Sequence, residues 1–359
     1  MNESNMWKET DEEILQQIPE KLLTWYDKNA RVLPWREDPR PYRVWVSEIM
    51  LQQTRVEAVK PYFERFLKAL PTVADLAQAP EEQLLKLWEG LGYYNRVRNL
   101  QRGARAVMAE HGGVIPASFE ALKKLPGIGD YTAGAIGSIA FQIPVPAVDG
   151  NVLRVISRVL YRRDNILDAK VKRRIEGEIK EILPERTGDF NQSLMELGAT
   201  VCLPNGAPKC NECPLQELCR AHLVGDEESL PVKTKAKKRK IEQRTVFLLV
   251  CDGKIALRKR PEKGLLAGLW ELPSQEGILG CAEAGKLLQT WGVRTLGELQ
   301  KQTDAKHIFS HVEWHMTCWY VEAALDPDAD VKELIWVSRK ELDQDVALPA
   351  AFKTYRKEI

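Results

Sequence analysis

The chain has 359 residues, which is enough for two or three domains with a sizeable core in each. Its composition, 44% hydrophobic and 29% charged, is typical of a globular protein, and its apolar runs are too short to cross a bilayer. The net charge of +1 hides a local excess of basic residues, so charged partners must be judged region by region. This excess consists of Lys233, Lys235, Lys237, Lys238, Arg239 and Lys240.

The N-terminal sequence is polar and acidic, and it lacks the apolar core of a secretory signal. We therefore expect an intracellular, cytoplasmic protein with no membrane partner. The cysteines agree with a reducing compartment, because four of them lie between Cys202 and Cys219 and the other three are scattered.

The first part of the chain has helical periodicity throughout. Pro19 suits the first turn of a helix that carries Leu22 and Tyr26 on its apolar side. The next predicted helix runs from about Tyr42 to Gln53, and Glu48 is the ionisable residue in its apolar middle. A carboxylate in such a place needs a reason, because acidic side chains are rarely buried.

Capping patterns mark the starts of several further helices. Thr54 begins a capping-box pattern, and Ser118, Asp130 and Asp149 are predicted N-caps. The helix after Asp149 places its valines and isoleucines on one side, and two more helices are predicted before the cysteine-rich segment.

The sequence period changes from helical to alternating after Gln243. Two strand-like runs are joined by Asp252-Gly253, a strong hairpin signal, and further strands surround one predicted helix. The predicted organisation is therefore multi-domain: an all-α region at 1–224, a basic linker at 225–243, and an α+β domain at 244–359.

Three features of the all-α region have both an ordinary and a functional interpretation. The sequence LPGIG, from Leu125 to Gly129, is either a plain corner between helices or an anion site built from glycine backbone and a helix N-terminus. Asp149 is either a simple N-cap or a site residue. Glu48 is either a satisfied buried carboxyl or a general acid, because burial raises a carboxyl pKa.

The four clustered cysteines have the spacing C-x7-C-x2-C-x5-C, at Cys202, Cys210, Cys213 and Cys219. Four thiols in one short segment of an intracellular protein indicate a metal centre, either tetrahedral zinc or an iron–sulfur cluster. Structural zinc usually uses two closely spaced pairs, and only one pair is present here. The spacing therefore favours a 4Fe-4S cluster.

Tyr93 and Tyr94 alternate with Arg96 and Arg98 at the start of a predicted helix. These side chains are either core aromatics beside solvated charges, or an aromatic wedge that unstacks bases next to phosphate contacts. The local sequence does not decide between the two.

Taken together, these motifs resemble the helix-hairpin-helix DNA glycosylases that carry an iron–sulfur cluster, and in particular their adenine-specific branch. The resemblance rests on SEIMLQQTRV, WEGLGYYNRVRNL, LPGIGDYTAGAI, VPAVDGNVLRVISR, the four cysteines and HIFSH, in the family's order. It implies a six-helix barrel with a helix-hairpin-helix and a cluster module. It also implies a monomeric, monofunctional enzyme of base excision repair, nucleoid-associated if bacterial.

The resemblance implies hydrolysis of the bond between sugar and adenine, where adenine is mispaired with 8-oxoguanine or guanine in duplex DNA. The adenine would be flipped out of the stack, Glu48 would protonate it, and Asp149 would stabilise the oxocarbenium-like sugar. Asn151 and Tyr131 match supporting polar groups. Relatives that also cleave the strand carry a Schiff-base lysine where this chain has Tyr131, and a phenol cannot form an imine.

Further residues acquire DNA-binding roles through the resemblance alone. Gln53 and Tyr93 match positions at the lesion pair, and Arg31 and Gln192 match positions in the base pocket. The hairpin residues Leu125, Gly127 and Gly129 would hold a DNA phosphate, with a monovalent or calcium ion between the hairpin and the phosphate. The family's first cysteine gap is usually six residues, so the extra residue here requires a looser turn at Asn205-Gly206.

The last domain resembles the MutT-like (Nudix-like) nucleotide hydrolases but lacks their clustered glutamates. We therefore expect it to recognise a lesion, with Phe309, Ser310 and His311 reading 8-oxoguanine; a plain strand-leading turn is the alternative for this tripeptide. Two rival functions follow for the whole chain: a non-catalytic lesion-binding protein, and a nucleotide pyrophosphatase that uses its C-terminal domain.

Overall fold

The structure is a computed structural model and describes residues 7–234, 238–324 and 333–358. Lys235 and Lys237 of the basic segment lie outside these ranges. The chain divides into two compact units, here called the helical unit, Met1–Ala79 with Arg98–Lys235, and the sheet unit, Pro80–Val97 with Ala236–Ile359. The expected fold class, an all-α region followed by an α+β domain, is confirmed.

The helices follow one another almost without interruption in the first part of the chain. They are α1 (Asp11–Asn29), α2 (Pro34–Glu37), α3 (Pro41–Leu51), α4 (Val56–Ala69), α5 (Val73–Gln78), α6 (Glu81–Leu87), α7 (Asn95–His111), α8 (Phe119–Lys124), α9 (Asp130–Phe141), α10 (Gly150–Val159), α11 (Ala169–Glu181), α12 (Thr187–Thr200) and α13 (Arg220–Val224). Two further helices, α14 (Cys281–Thr290) and α15 (Arg339–Gln344), lie among the strands of the C-terminal part. Among these described helices, none has the length and apolarity that a membrane span needs.

Apolar side chains of α1, α10, α11 and α12 form one core of the helical unit. The predicted apolar face of α10 is confirmed, since Val152, Val155, Ile156 and Val159 are all buried. Burying side chains of this kind contributes about 1.5–3 kcal/mol each. The packing therefore fixes the N-terminus of α10, where Asp149 lies.

Three helix starts differ from the prediction. Helix α1 begins at Asp11, where Thr10 and Glu13 form a capping box, so Pro19 lies inside the helix. The N-cap of α4 is Arg55 and makes no side-chain capping bond, so the predicted Thr54 box is absent. The N-cap of α9 is Gly129, and Asp130 instead pairs with Lys123 at 2.6 Å. The predicted caps at Ser118 and Asp149 are confirmed.

The sheet unit is built around a long parallel pair of strands. Its strands are β1 (Lys240–Cys251), β2 (Lys254–Lys259), β3 (Trp270–Glu271), β4 (Ser274–Glu276), β5 (Arg294–Thr295), β6 (Gln300–Lys301), β7 (Ala305–Ile308), β8 (Val312–Ala324) and β9 (Leu334–Ser338). Strands β1 and β8 pair in parallel over most of their length. The strand order along the sheet is β3-β2-β1-β8-β5. Buried cores cover both faces of this sheet.

The turn between β1 and β2 confirms the hairpin prediction. Asp252 and Gly253 both have positive φ, 47° and 69°, as a two-residue hairpin turn requires. Strand β1 already begins at Lys240, so the last residues of the segment predicted as a linker belong to the sheet.

Candidate active site

Two packed helices of the helical unit bring Glu48 and Tyr131 together. Glu48 lies on α3 and Tyr131 lies in the first turn of the buried helix α9, and these two helices contact each other closely. The Tyr131 hydroxyl donates a hydrogen bond of 2.6 Å to Glu48 Oε2 and lies 3.3 Å from the sulfur of Met195. The buried carboxyl thus keeps one specific donor.

Burial raises the pKa of Glu48 to about 7. The hydrogen bond from Tyr131 opposes this shift, the negative charge of Asp149 adds to it, and Arg36 lowers the pKa again. Burial likewise raises the pKa of Tyr131 far above its usual value, so its hydroxyl keeps its proton. Near neutral pH, Glu48 is therefore able both to hold and to release a proton.

Asp149 caps α10 and is held in a fixed orientation. One carboxylate oxygen accepts from the backbone N–H groups of Asn151 and Val152, both at 2.8 Å. The other oxygen accepts from the Asn151 side-chain amide at 2.6 Å. Burial raises the pKa of Asp149 above its usual value, and these hydrogen bonds and the charge of Arg154 offset only part of that shift. Three donors directed at one carboxylate favour its ionised form.

Arg154 supports this arrangement and was not identified from the sequence. Its guanidinium donates to Asn151 Oδ1 at 2.9 Å and to the Gly198 carbonyl at 2.7 Å, and it is almost fully buried. Because Asn151 gives its oxygen to Arg154, its NH₂ group is directed to Asp149. The signal in the sequence was an arginine in the middle of a valine-rich helix.

Glu48, Tyr131, Asp149 and Asn151 line one open cleft of about 1110 Å³. Of the other predicted site residues, Arg31, Gln53 and Gln192 line the same cleft. Glu57 and Lys172 are among its other lining residues. A cavity of this size, with Glu48 and Asp149 on its wall, accommodates a nucleoside-sized group.

An ion cluster of Arg31, Arg36 and the buried Glu196 lies at the wall of the cleft beside Gln192, and the sequence predicted only Arg31 of these three as a site residue. The Arg31 side chain donates two hydrogen bonds to Glu196 and its backbone N–H donates a third, while Arg36 donates to both Glu196 and Gln192. Arg31, a predicted pocket residue, is thus already paired, and Arg36 is the guanidinium in contact with Gln192. Its position next to Trp35 in the basic loop was the only available signal.

Gln53 and Tyr93 share an unusual backbone conformation. Gln53 has a φ of 56° at the rim of the cleft, and Tyr93 has a φ of 49° in the sheet unit. Positive φ is uncommon outside glycine and marks positions where the chain turns sharply. Tyr93 is half exposed and lies against the guanidinium of Arg96, whereas Tyr94 is buried.

The turn from α8 to α9 has the geometry of a helix-hairpin-helix. Leu125 is buried, and its carbonyl accepts from Ile128 N–H at 3.1 Å. Gly127 has a φ of 81°, and a Cβ there would lie 2.6 Å from the Cβ of Asn99. Gly129 has an ordinary φ and open space where a Cβ would point. Packing therefore explains Gly127, and free space for a ligand remains at Gly129.

All four clustered cysteines line a second cavity in the helical unit, as the sequence predicted. Burial raises the pKa of the Cys210 and Cys213 thiols to about 12 and that of Cys219 to about 11. Gly206 has a φ of 74°, consistent with the predicted turn at Asn205-Gly206. Four thiols converging on one cavity fit a thiolate-bound metal centre.

Other polar groups face the same cavity, and the sequence did not identify them. Arg158 Nη1 donates to Cys202 Sγ at 3.2 Å. His222 and Glu227 are bonded to each other at 2.6 Å, and Glu227 accepts from Cys210 Sγ at 3.4 Å. The Arg158 guanidinium therefore lies where it can donate to a sulfur that binds a metal ion.

The predicted lesion loop connects β7 to β8 in the sheet unit. The Phe309 ring packs against Trp314 and His307, and its carbonyl accepts from Arg239 Nε at 3.2 Å. Ser310 and His311 are exposed and bonded to each other at 3.1 Å. The packed Phe309 thus holds the loop in place, and the side chains of Ser310 and His311 remain exposed to a ligand.

Comparisons with known proteins place these features in a family. Residues 46–181 match the HhH-GPD superfamily base excision DNA repair proteins, and residues 245–358 match the NUDIX domain. A thermostable thymine-DNA glycosylase superposes with a TM-score of 0.52 at 27% identity, over 60% of this chain and 97% of its own. Endonuclease III in a non-covalent complex with DNA gives 0.52 at 26% identity, over 60% and 98%.

Curated relatives extend over most of the chain. The adenine DNA glycosylase of Rattus norvegicus is 39% identical over 350 residues, which cover 81% of this chain and 68% of that protein. The adenine DNA glycosylase of Homo sapiens is 36% identical over 399 residues, covering 93% and 72%. Both the helical and the sheet regions are therefore shared with such enzymes, and the chain belongs to the adenine DNA glycosylase family of base excision repair enzymes.

Proposed function

We propose that this chain removes adenine mispaired with 8-oxoguanine or guanine from duplex DNA, acting as a monomer in the cytoplasm or nucleoid. One observation supports this most directly. Glu48, whose pKa is raised, and Asp149, which caps α10 and accepts several hydrogen bonds, line the same cleft. Two carboxyls in such different surroundings suit the acid and the charge-stabilising roles of glycoside hydrolysis. The family match supports adenine as the base, because its named members act on adenine.

In this mechanism Glu48 donates a proton to a ring nitrogen of the flipped adenine, which turns the base into a better leaving group. Tyr131 donates to Glu48 Oε2, so the other oxygen carries the proton toward the base. After the base leaves, the Glu48 carboxylate accepts a proton from the attacking water.

Asp149 stabilises the positive charge that develops on the sugar. Its hydrogen bonds from Asn151 and Val152 hold the carboxylate in place before the reaction begins, so little reorganisation is needed. Tyr131 occupies the place of a Schiff-base lysine and forms no imine, so the reaction ends at the abasic site without strand cleavage.

The DNA would be held at the hairpin and near the lesion pair. The open space at Gly129 and the N-terminus of α9 supports binding of a DNA phosphate there, between Leu125 and Asp130. A monovalent or calcium ion at this place would bind between the hairpin and the phosphate. Gln53 and Tyr93, each with positive φ, are assigned to the lesion pair.

The sheet unit is assigned to recognition and not to nucleotide hydrolysis. Glu271 is buried and paired with Arg258 and Arg260, so it is not available as a magnesium ligand. The exposed Ser310 and His311 on the anchored Phe309 support contact with 8-oxoguanine.

We expect the protein to release adenine from a duplex in which the adenine lies opposite 8-oxoguanine, so that alkali then cleaves the strand at the abasic site. Release of adenine opposite guanine should be slower.

Replacing Ser310 by Ala is expected to reduce this preference for 8-oxoguanine about 5- to 150-fold, because a lesion contact of roughly 1–3 kcal/mol is lost. Single-turnover rates on both duplexes measure it. Absence of adenine release by the wild-type protein would refute the proposed function; an unchanged preference in Ser310→Ala would refute the loop assignment alone.

Cys202, Cys210, Cys213 and Cys219 are assigned as ligands of a 4Fe-4S cluster that stabilises the segment around them. We expect the protein purified under reducing, anaerobic conditions to be brown and to absorb visible light, and Cys213→Ser to lose this absorption. Cys281→Ser, which changes an exposed cysteine of the sheet unit, serves as the control and should keep it. A colourless protein with stoichiometric zinc would contradict the cluster.

A further inference from the structure

A buried carboxylate on α12 holds two arginines at the wall of the cleft. The Glu196 side chain is fully buried, and its oxygens accept from Arg31 Nε at 2.6 Å, Arg31 Nη2 at 2.9 Å and Arg36 Nη2 at 2.8 Å. Burial works to raise the pKa of Glu196, but the bonds and charges of the arginines outweigh it and hold that pKa below its usual range. Glu196 is therefore an anion that fixes both guanidinium groups.

Arg36 passes this constraint on to Gln192. Its Nε–H donates to Gln192 Oε1 at 3.1 Å, its Nη1 donates to the Arg31 carbonyl at 3.2 Å, and its guanidinium lies over the ring of the buried Tyr26. All three guanidinium nitrogens of Arg36 and one of its faces thus have a defined neighbour, and little freedom remains for its Nε–H to move.

The contact with Arg36 determines which way the Gln192 amide faces. A guanidinium has only donors, so a flipped amide would direct its NH₂ against Nε–H and lose the bond. The observed orientation leaves the NH₂ group and the second lone pair of Oε1 available for other partners. Gln192 lines the same cleft as Glu48 and Asp149, so these groups are available to a base bound there.

Adenine and the 6-oxopurines differ in the pattern that such an amide reads. Adenine carries an amine donor at C6 beside bare ring nitrogens, and a glutamine amide binds that pair with its oxygen and its NH₂ group. Hypoxanthine carries a keto oxygen at C6 beside an N1–H donor, which is the reverse pattern. An amide that could flip would accept both bases, whereas a fixed amide accepts adenine.

We propose that Glu196, acting through Arg36, is a positioning residue that locks the Gln192 amide and thereby makes the cleft select adenine over 6-oxopurines. The selection rests on the proposed function, because it requires the purine to occupy this cleft. Loss of the Glu196 charge leaves Arg31 and Arg36 without their shared anion, so they repel each other and Arg36 releases the amide.

The test compares release of adenine and of hypoxanthine placed opposite the same partner base, in single-turnover reactions of the full-length protein. We expect Glu196→Gln to lower the adenine preference about tenfold or more relative to wild type. Asp11→Asn is the matched control, since Asp11 also pairs with two arginines, Arg162 and Arg220, but does not line the cleft. Its preference should remain that of the wild type.

The possible outcomes distinguish a failure of the proposed Glu196 role, here called the lock, from a failure of the proposed function. A wild-type protein that releases no adenine contradicts the function, whereas one that releases adenine while Glu196→Gln leaves the preference unchanged contradicts the lock. Equal loss of both rates in Glu196→Gln would also contradict it, because a general structural defect does not alter the ratio. If Glu196→Gln fails to fold, Arg36→Gln is the alternative test and should lower the adenine preference in the same way. Its amide can either donate or accept a hydrogen bond, so it no longer fixes the orientation of Gln192, while Arg31 keeps its pair with Glu196.

Discussion

Replacement of Glu48 by Gln is expected to lower the single-turnover rate of adenine release by about a hundred- to ten-thousandfold. The amide cannot transfer a proton to the base, although it still accepts the hydrogen bond from Tyr131. The substitution preserves shape, so lesion-DNA binding should stay within a few-fold of the wild-type value. A quenched-flow or manual single-turnover assay with excess protein measures the chemical step without product release.

The pH dependence of the adenine-release rate tests more directly whether Glu48 supplies the proton. With a pKa raised to about 7 by burial, Glu48 is protonated below that pH and ionised above it. The rate of an acid-catalysed step should therefore fall with rising pH above about 7, by a factor approaching ten per pH unit. The residual rate of Glu48→Gln should lack this fall. Glu12→Gln, on the exposed side of α1, is the control and should keep the wild-type profile. A wild-type rate that rises steadily above pH 7 would contradict an acid role.

The sequence predicted the two carboxylates for reasons that the structure bears out locally. Glu48 stood out because it lay in an apolar helix, and it is buried. Asp149 stood out because it preceded a strongly amphipathic helix, and it is the N-cap. Their convergence on one cleft could not follow from local patterns, because the contacts of α3 with α9 and of α10 with α12 set it. The resemblance to a known family supplied that step.

The unpredicted site residues share one physical property, which is that their partners are distant in the chain. Arg36 is recognisable only once α2 and α12 are in contact, and Arg154 only once α10 reaches the carbonyl of Gly198. His222 and Glu227 are close in sequence, but their importance depends on facing the cysteine cavity. Side-chain bonds of this kind have no periodicity, so hydropathy patterns and capping rules do not detect them.

The misplaced helix starts have a local cause. Pro19 suits a first turn, but the Thr10–Glu13 capping box starts α1 earlier, and the helix continues through the proline. At α9, Gly129 takes the N-cap conformation although Asp130 is the better capping side chain, and Asp130 pairs with Lys123 instead. At Ser118 and Asp149 the residue that packing places at the helix start is also one that caps helices well, so the N-cap prediction was correct.

Replacement of Asp149 by Asn is expected to abolish adenine release while the helical unit stays folded. Asn caps helices about as well as Asp, so α10 should lose only the favourable interaction of a negative charge with its N-terminus, about 0.3–1 kcal/mol. The rate should fall by at least about a hundred- to a thousandfold, the scale for removing a preorganised stabilising group. The neutral amide offers a cationic sugar only a dipole, and its NH₂ group would face the side-chain amide donor of Asn151.

Asp168→Asn is the matched control, because Asp168 caps α11 in the same way and does not line the cleft. It should keep wild-type activity at a similar melting temperature. Lesion-DNA affinity measured by equilibrium titration should not fall in either variant, since removing a negative charge near a phosphate-rich ligand strengthens non-specific attraction. Full activity in Asp149→Asn would reduce Asp149 to an N-cap and leave Glu48 as the sole essential carboxyl. Loss of activity in both aspartate variants would instead point to cap-dependent unfolding, which the melting temperatures would reveal.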